Sequence, residues 1–69
     1  MPIIRVEMWE GRSVELKRRL ARELTDTLVG IIDCDPATVR VLIDDYSPEN
    51  WAVGGTLRVD AGAAKSPGR

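Results

Sequence analysis

Four side chains of this 69-residue sequence have types and positions that could act on a small molecule: Pro2, Arg12, Arg40 and Trp51. Pro2 is the unusual one. An initiator methionine is commonly removed when the next residue is small, and proline qualifies. Loss of Met1 would leave a chain that begins with a secondary amine. A reference α-amino group titrates at about 7.7–8.0. An apolar pocket and nearby guanidiniums both disfavour the ammonium form. The amine can then serve as a general base near neutral pH, which is what proton transfer needs. With Met1 in place the same nitrogen is an amide and has no basicity. The sequence offers little else as a base. It has no histidine and one cysteine, which excludes Ser-His-Asp and Cys-His catalysis within one chain and makes a structural zinc site a poor fit. Cys34 lies in Asp33-Cys34-Asp35, where two acids disfavour a thiolate, and it reads as an inert thiol.

The other three residues each allow two readings. Arg12 stands just before a helix N-cap, as a solvated surface residue or as an anion ligand. Arg40 lies in an apolar strand. It either pairs with Asp44, Asp45 or Glu7 or offers its two-pronged donor fork to a carboxylate. Trp51 is an interface or core aromatic, the wall of a dry site, or both. Trp9 reads as interface packing, and Gly54-Gly55 as turn geometry.

The elements that must position these residues follow from the pattern. Ile4, Val6 and Met8 alternate with Ile3, Arg5, Glu7 and Trp9, which predicts a strand over 2–9 with one dry face and one mixed face. Ser13 is a good N-cap and Glu15 suits the first turn. Leu16, Leu20, Leu24, Leu28 and Ile31/Ile32 recur at helical spacing, so an amphipathic helix is expected over 13–32. Lys17-Arg18-Arg19 is the wet side of that helix. Asp35-Pro36 caps one short turn. Thr38–Ile43 predicts a second strand, 44–50 a polar loop, and 51–59 a hairpin about Gly54-Gly55. Domain bounds of 1–59 are expected, with a flexible tail over 60–69.

Two long strands joined by a helix should be parallel. One helix covers one face of such a sheet. Parallel strands normally lie covered on both faces, and a domain near this size buries only roughly 60% of its unfolded surface. Without disulfide or metal, oligomerisation is the remaining means of stabilisation.

Taken together, Met1-Pro2-Ile3, Glu10-Gly11-Arg12-Ser13, Val39-Arg40-Val41 and Trp51-Ala52-Val53-Gly54-Gly55 resemble the 4-oxalocrotonate tautomerase family, in order and in spacing, over nearly all of the chain to Val59. The resemblance implies an α/β fold, a small β-α-β unit with a C-terminal hairpin, assembling as dimers into a hexamer (a trimer of dimers). It implies a cofactor-independent tautomerase of 2-hydroxydienoates such as 2-hydroxymuconate. Pro2 would move a proton between a dienol oxygen and carbon. Arg40, from a neighbouring subunit, would bind one carboxylate end and polarise the 2-oxygen. Arg12 would hold the distal carboxylate, and Trp51, where the family usually has phenylalanine, would keep the site dry. The departures at Trp51, Trp9 and Arg5 leave the substrate open, not the base.

Partners follow from the same reading: a small-molecule carboxylate and a homohexamer, or a heterohexamer as in some relatives. A net charge of -1 offers nothing to a phosphate backbone. No apolar run is long enough for a membrane, and without a visible secretory leader a cytoplasmic protein of aromatic catabolism is expected. Three rivals stay open. One is a tautomerase of a specialised biosynthetic pathway. Another is a hydratase or dehalogenase relative, for which Asp44, Asp45 and Glu49 lie outside the segment where its acid belongs. The last is a non-catalytic oligomeric module, if Met1 is retained.

Overall fold

The structure, a computed structural model, describes residues 1–64. Strand β1 (Ile3–Trp9) leads into helix α1 (Val14–Ile32). A 3₁₀ turn at Pro36–Thr38 precedes β2 (Arg40–Tyr46), and a second at Pro48–Asn50 precedes the hairpin of β3 (Ala52–Val53) and β4 (Thr56–Leu57). Helix α2 (Arg58–Ala64) follows. This is the expected β-α-β unit with a hairpin after it.

β1 and β2 pair in parallel, with Ile3 opposite Arg40 and Trp9 opposite Tyr46. Half-buried Ile4, Val6 and Met8 alternate with exposed Ile3, Arg5 and Glu7. Register partners share a face of the pleat. Val41, Ile43 and Asp45 therefore lie with the first set, and Arg40, Leu42 and Asp44 with the second. Lys17 of α1 forms an ion pair with Asp45, which fixes the first set as the helix-facing side. On the other side Arg5 and Asp44 pair across the strands at 3.3 Å.

That other side is open. Ile3 is 56% and Leu42 40% exposed on it, and among the described residues none is fully buried. The Cα radius of gyration is 15.8 Å, against about 11 Å for a compact domain of this length. A lone chain has a sheet and a cover on one side, but no closed core.

Helix α1 begins where its cap chemistry says it should. The Ser13 side chain accepts a hydrogen bond from the Leu16 N–H at 3.1 Å. Replacing Ser13 with alanine orphans that donor and is expected to cost about 1 kcal/mol, or about 4–8 °C in thermal midpoint for a domain of this size. Thermal denaturation at fixed chain concentration checks it, and an unchanged midpoint would show that the cap carries no weight. The helix ends at Asp33, whose positive φ of 58° is left-handed and whose N–H donates to the Val29 carbonyl at 2.9 Å.

The structure corrects three details. The sheet-facing stripe of α1 is half-buried Lys17, Leu20, Ala21, Leu24, Thr25, Leu28 and Val29, while Leu16, Ile31 and Ile32 stay exposed. Nineteen helical residues reach about 28 Å, and the seven of β1 about 23 Å, so the helix ends overhang the sheet. β2 starts later than expected, because the Pro36–Thr38 turn takes up Thr38, and it runs on through Asp44 and Asp45 to Tyr46. Those two acids stay in the strand because each meets a cation, Arg5 and Lys17 respectively. Finally, Arg58 and Val59 are helical, not the end of the hairpin. Residues 65–69 of the expected tail lie outside the described residues.

Candidate active site

The candidate residues fall at opposite ends of the sheet. At the start of β1, Pro2 is half-buried and its carbonyl accepts the Arg40 backbone N–H at 3.0 Å. A proline suits the place before a strand, where no N–H is needed for the ladder. Met1 before it is 74% exposed. Pro2 precedes Ile4 by two residues and so shares the helix-facing parity of β1. Arg40 pairs with Ile3, so its side chain belongs to the open face. Its guanidinium donates to the Ala37 carbonyl at 3.4 Å, a weak bond. Of its three expected carboxylate partners, Asp44 is taken by Arg5 and Asp45 by Lys17, and Glu7 forms no ion pair with it. Among the described residues Arg40 has no ion-pair partner, which leaves its fork available for a ligand.

At the other end, an aromatic cluster closes the strands. Trp9 and Tyr46 are register partners, and the Glu10 N–H donates to the Tyr46 carbonyl at 2.9 Å. The Trp51 ring lies 4.4 Å from Trp9 at an interplanar angle of 55°, and 5.3 Å from Tyr46 edge-on at 71°. These are favourable tilted and T-shaped geometries. The hairpin brings Trp51 here because Gly54 and Gly55 adopt φ of 62° and 89°, the left-handed pair that a tight two-residue turn requires. The Arg58 N–H then donates to the Trp51 carbonyl at 2.7 Å, and the Arg58 guanidinium carbon lies 4.0 Å above the Trp9 ring centroid. Arg12 sits in the loop at this same end, after Gly11, whose φ of 103° turns the chain from strand to helix.

Trp51 therefore has company that its sequence position did not announce. The sequence pattern puts Tyr46 in a loop, Trp9 in interface packing and Arg58 in the hairpin. The signal available was parity: Trp9 and Tyr46 each end a strand, and only the register shows that they end it together.

The ends are roughly 23 Å apart, the length of β1. One chain places Pro2 and Arg40 at one end of the sheet and Arg12 and Trp51 at the other. A pocket holding all four needs more than one copy of the chain. The shift in ionisation seen on α1 belongs to neither end: the Arg19 guanidinium, 2.6 Å from Glu23, holds that carboxyl below its ordinary range on the solvent side of the helix.

The family model described as tautomerase enzyme matches residues 2–61. The chain belongs to the tautomerase family. It is an isomerase of the 4-oxalocrotonate tautomerase type, as the named relatives bear out. A 2-hydroxymuconate tautomerase of Comamonas testosteroni is 37% identical over 62 residues, covering 90% of this chain and 98% of the relative. Among solved structures, TomN, a 4-oxalocrotonate tautomerase homologue of the tomaymycin biosynthetic pathway, superposes with a TM-score of 0.83 at 34% identity, covering 94% of this chain and all of that one. A heterohexamer 4-oxalocrotonate tautomerase from Chloroflexus aurantiacus J-10-fl gives a TM-score of 0.75 at 38% identity, with 87% and 97% coverage. No described helix of this tautomerase is long and apolar enough to cross a membrane.

Proposed function

We propose that this tautomerase interconverts a 2-hydroxydienoate and its 2-oxo acid, such as 2-hydroxymuconate, with the amine of Pro2 as the base and acid. The amine takes the proton of the 2-hydroxyl. The electron pair of that O–H bond forms the carbonyl, and the diene electrons shift toward a carbon further along. The same amine returns the proton to that carbon, so atoms and charge balance without a second reactant. Negative charge develops on the 2-oxygen on the way. The Arg40 fork, aimed at that oxygen and the adjacent carboxylate, stabilises the charge where it appears. Arg12 holds the far carboxylate, and Trp51 excludes water, which favours the neutral amine. The assembly is a hexamer, a trimer of dimers, that joins the Pro2 end of one chain to the Trp51 end of another.

The observation that carries this reading is the split of the four residues between two ends of a sheet whose open face is uncovered. The named 2-hydroxymuconate tautomerase, aligned over almost its whole length, supports the substrate class. Native protein is expected to have lost one methionine by intact-mass spectrometry and to ketonise 2-hydroxymuconate in an ultraviolet assay. Full turnover with Met1 retained would overturn the amine mechanism.

A second reading is favoured by the likeness to TomN and by the bulk of Trp9 and Trp51: a tautomerase of a biosynthetic pathway acting on another dienol acid. Neighbouring genes for aromatic ring cleavage favour the first reading, and a biosynthetic cluster favours the second.

A further inference from the structure

We infer that Arg58 is a specificity-determining residue of this site, binding an anionic group of a planar conjugated acid whose body lies on the Trp51 ring. The inference rests on the reading of Trp51 as a wall of the site and names what else that wall recognises. Arg58 is held from two directions. Its backbone N–H is bonded to the Trp51 carbonyl at 2.7 Å, and its guanidinium lies 4.0 Å over the Trp9 ring. A cation over an aromatic face uses the face of the guanidinium, and its N–H donors point outward in the guanidinium plane. Those donors therefore remain available.

They also lack a partner. Arg5, Lys17, Arg18 and Arg19 each meet a carboxylate, but among the described residues Arg58 meets none. The cation–π attraction to Trp9 and the backbone bond to Trp51 together fix where Arg58 stands. Trp9 is in turn fixed against Trp51 at 4.4 Å. The result is a preorganised donor edge beside two indole rings, which is what a flat acid with an extended π-system fits. Arg12 lies in the loop at the same end, so the ligand's group there is a full negative charge, such as a carboxylate, and not a carbonyl.

The test uses two probes with the same six-carbon conjugated chain. Muconate carries a carboxylate at each end, and sorbate carries one. Both Trp residues lie at the proposed site, so intrinsic fluorescence reads binding directly. Arg58→Ala is expected to weaken muconate binding about 10- to 100-fold, the loss of a charge-assisted hydrogen bond, and sorbate binding less than about twofold by the same reasoning. Arg58→Lys keeps charge without the fork and should fall between. For 2-hydroxymuconate, KM should rise with little change in kcat. Equal weakening of both probes would assign Arg58 to support of Trp9 alone and overturn the inference. So would unchanged muconate affinity, or no saturable fluorescence change in the unaltered protein. Pro2→Ala is measured beside it. If that variant keeps full turnover the amine mechanism falls, whatever Arg58 does. If it loses turnover yet binds muconate normally while Arg58→Ala makes no distinction, only the present inference falls.

Discussion

Replacing Pro2 with alanine lowers kcat for 2-hydroxymuconate by about 10²- to 10⁴-fold, the range that a positioned general base contributes, and leaves KM within a few-fold. The reason the loss should fall on turnover lies in the ladder. Pro2 has no N–H to contribute, and its carbonyl, which accepts the Arg40 N–H at 3.0 Å, survives in alanine. β1 begins only at Ile3, so the sheet register does not depend on the ring. Alanine is small, so Met1 is still removed and a primary amine is left. That amine lacks the fixed backbone φ of proline and is free to point away from the substrate. Far-ultraviolet circular dichroism and the sedimentation profile should match the unaltered protein, and steady-state kinetics give the split. Turnover within a factor of two of normal would remove Pro2 from the chemistry. The companion experiment changes no side chain at all. Protein produced while methionine aminopeptidase is inhibited retains Met1, which acylates the proline nitrogen, and it should be inactive while folded.

How much of this was legible in the sequence depended on how local the cause was. Ser13 was readable as a cap because capping involves one side chain and an N–H three residues on, both present in the string. Asp35-Pro36 and Gly54-Gly55 were readable for the same reason. The end of β2 was not. Asp44 and Asp45 look like loop residues, and they stay in a strand because Arg5 and Lys17 come from other elements to meet them. The helix stripe was half right: the period of four found Leu20, Leu24 and Leu28, but the length of the sheet decides that Leu16, Ile31 and Ile32 overhang it. Val59-Asp60-Ala61 carry no apolar period, so α2 left no trace.

The site divides in the same way. Pro2, Arg12, Arg40 and Trp51 were nameable because each sits in a short motif. The cluster of Trp9, Tyr46, Trp51 and Arg58 was not, because it is made by register at the end of a parallel pair together with a hairpin that folds back onto it. Separation was also invisible. Nothing in the spacing says that Pro2 and Trp51 end up a full strand length apart, and under the proposed function this separation is what calls for a second chain at the site.

Arg40→Ala should lower kcat by about 10²- to 10³-fold, as loss of one oxyanion donor does, with partial recovery in Arg40→Lys. A structural arginine would instead cost stability, and here there is little to lose: the guanidinium makes one weak bond, to the Ala37 carbonyl at 3.4 Å, and among the described residues it forms no ion pair. Which Pro2 it serves follows from parity. Within one chain Arg40 shares the open face with Ile3, while Pro2 has the parity of helix-facing Ile4, so the backbones touch and the side chains diverge across the sheet. Under the proposed function Arg40 is therefore expected to serve the proline of a neighbouring copy. Mixing decides it. Pro2→Ala chains and Arg40→Ala chains, each nearly inactive alone, are unfolded together in equal amounts and refolded. If a site takes its amine from one chain and its guanidinium from another, random assembly leaves about one quarter of the sites intact, and activity returns to about that fraction. If both groups come from the same chain, no mixed site is whole and the mixture stays as inactive as its parts. That outcome would return the chemistry to a single chain, with the open face left to stability alone.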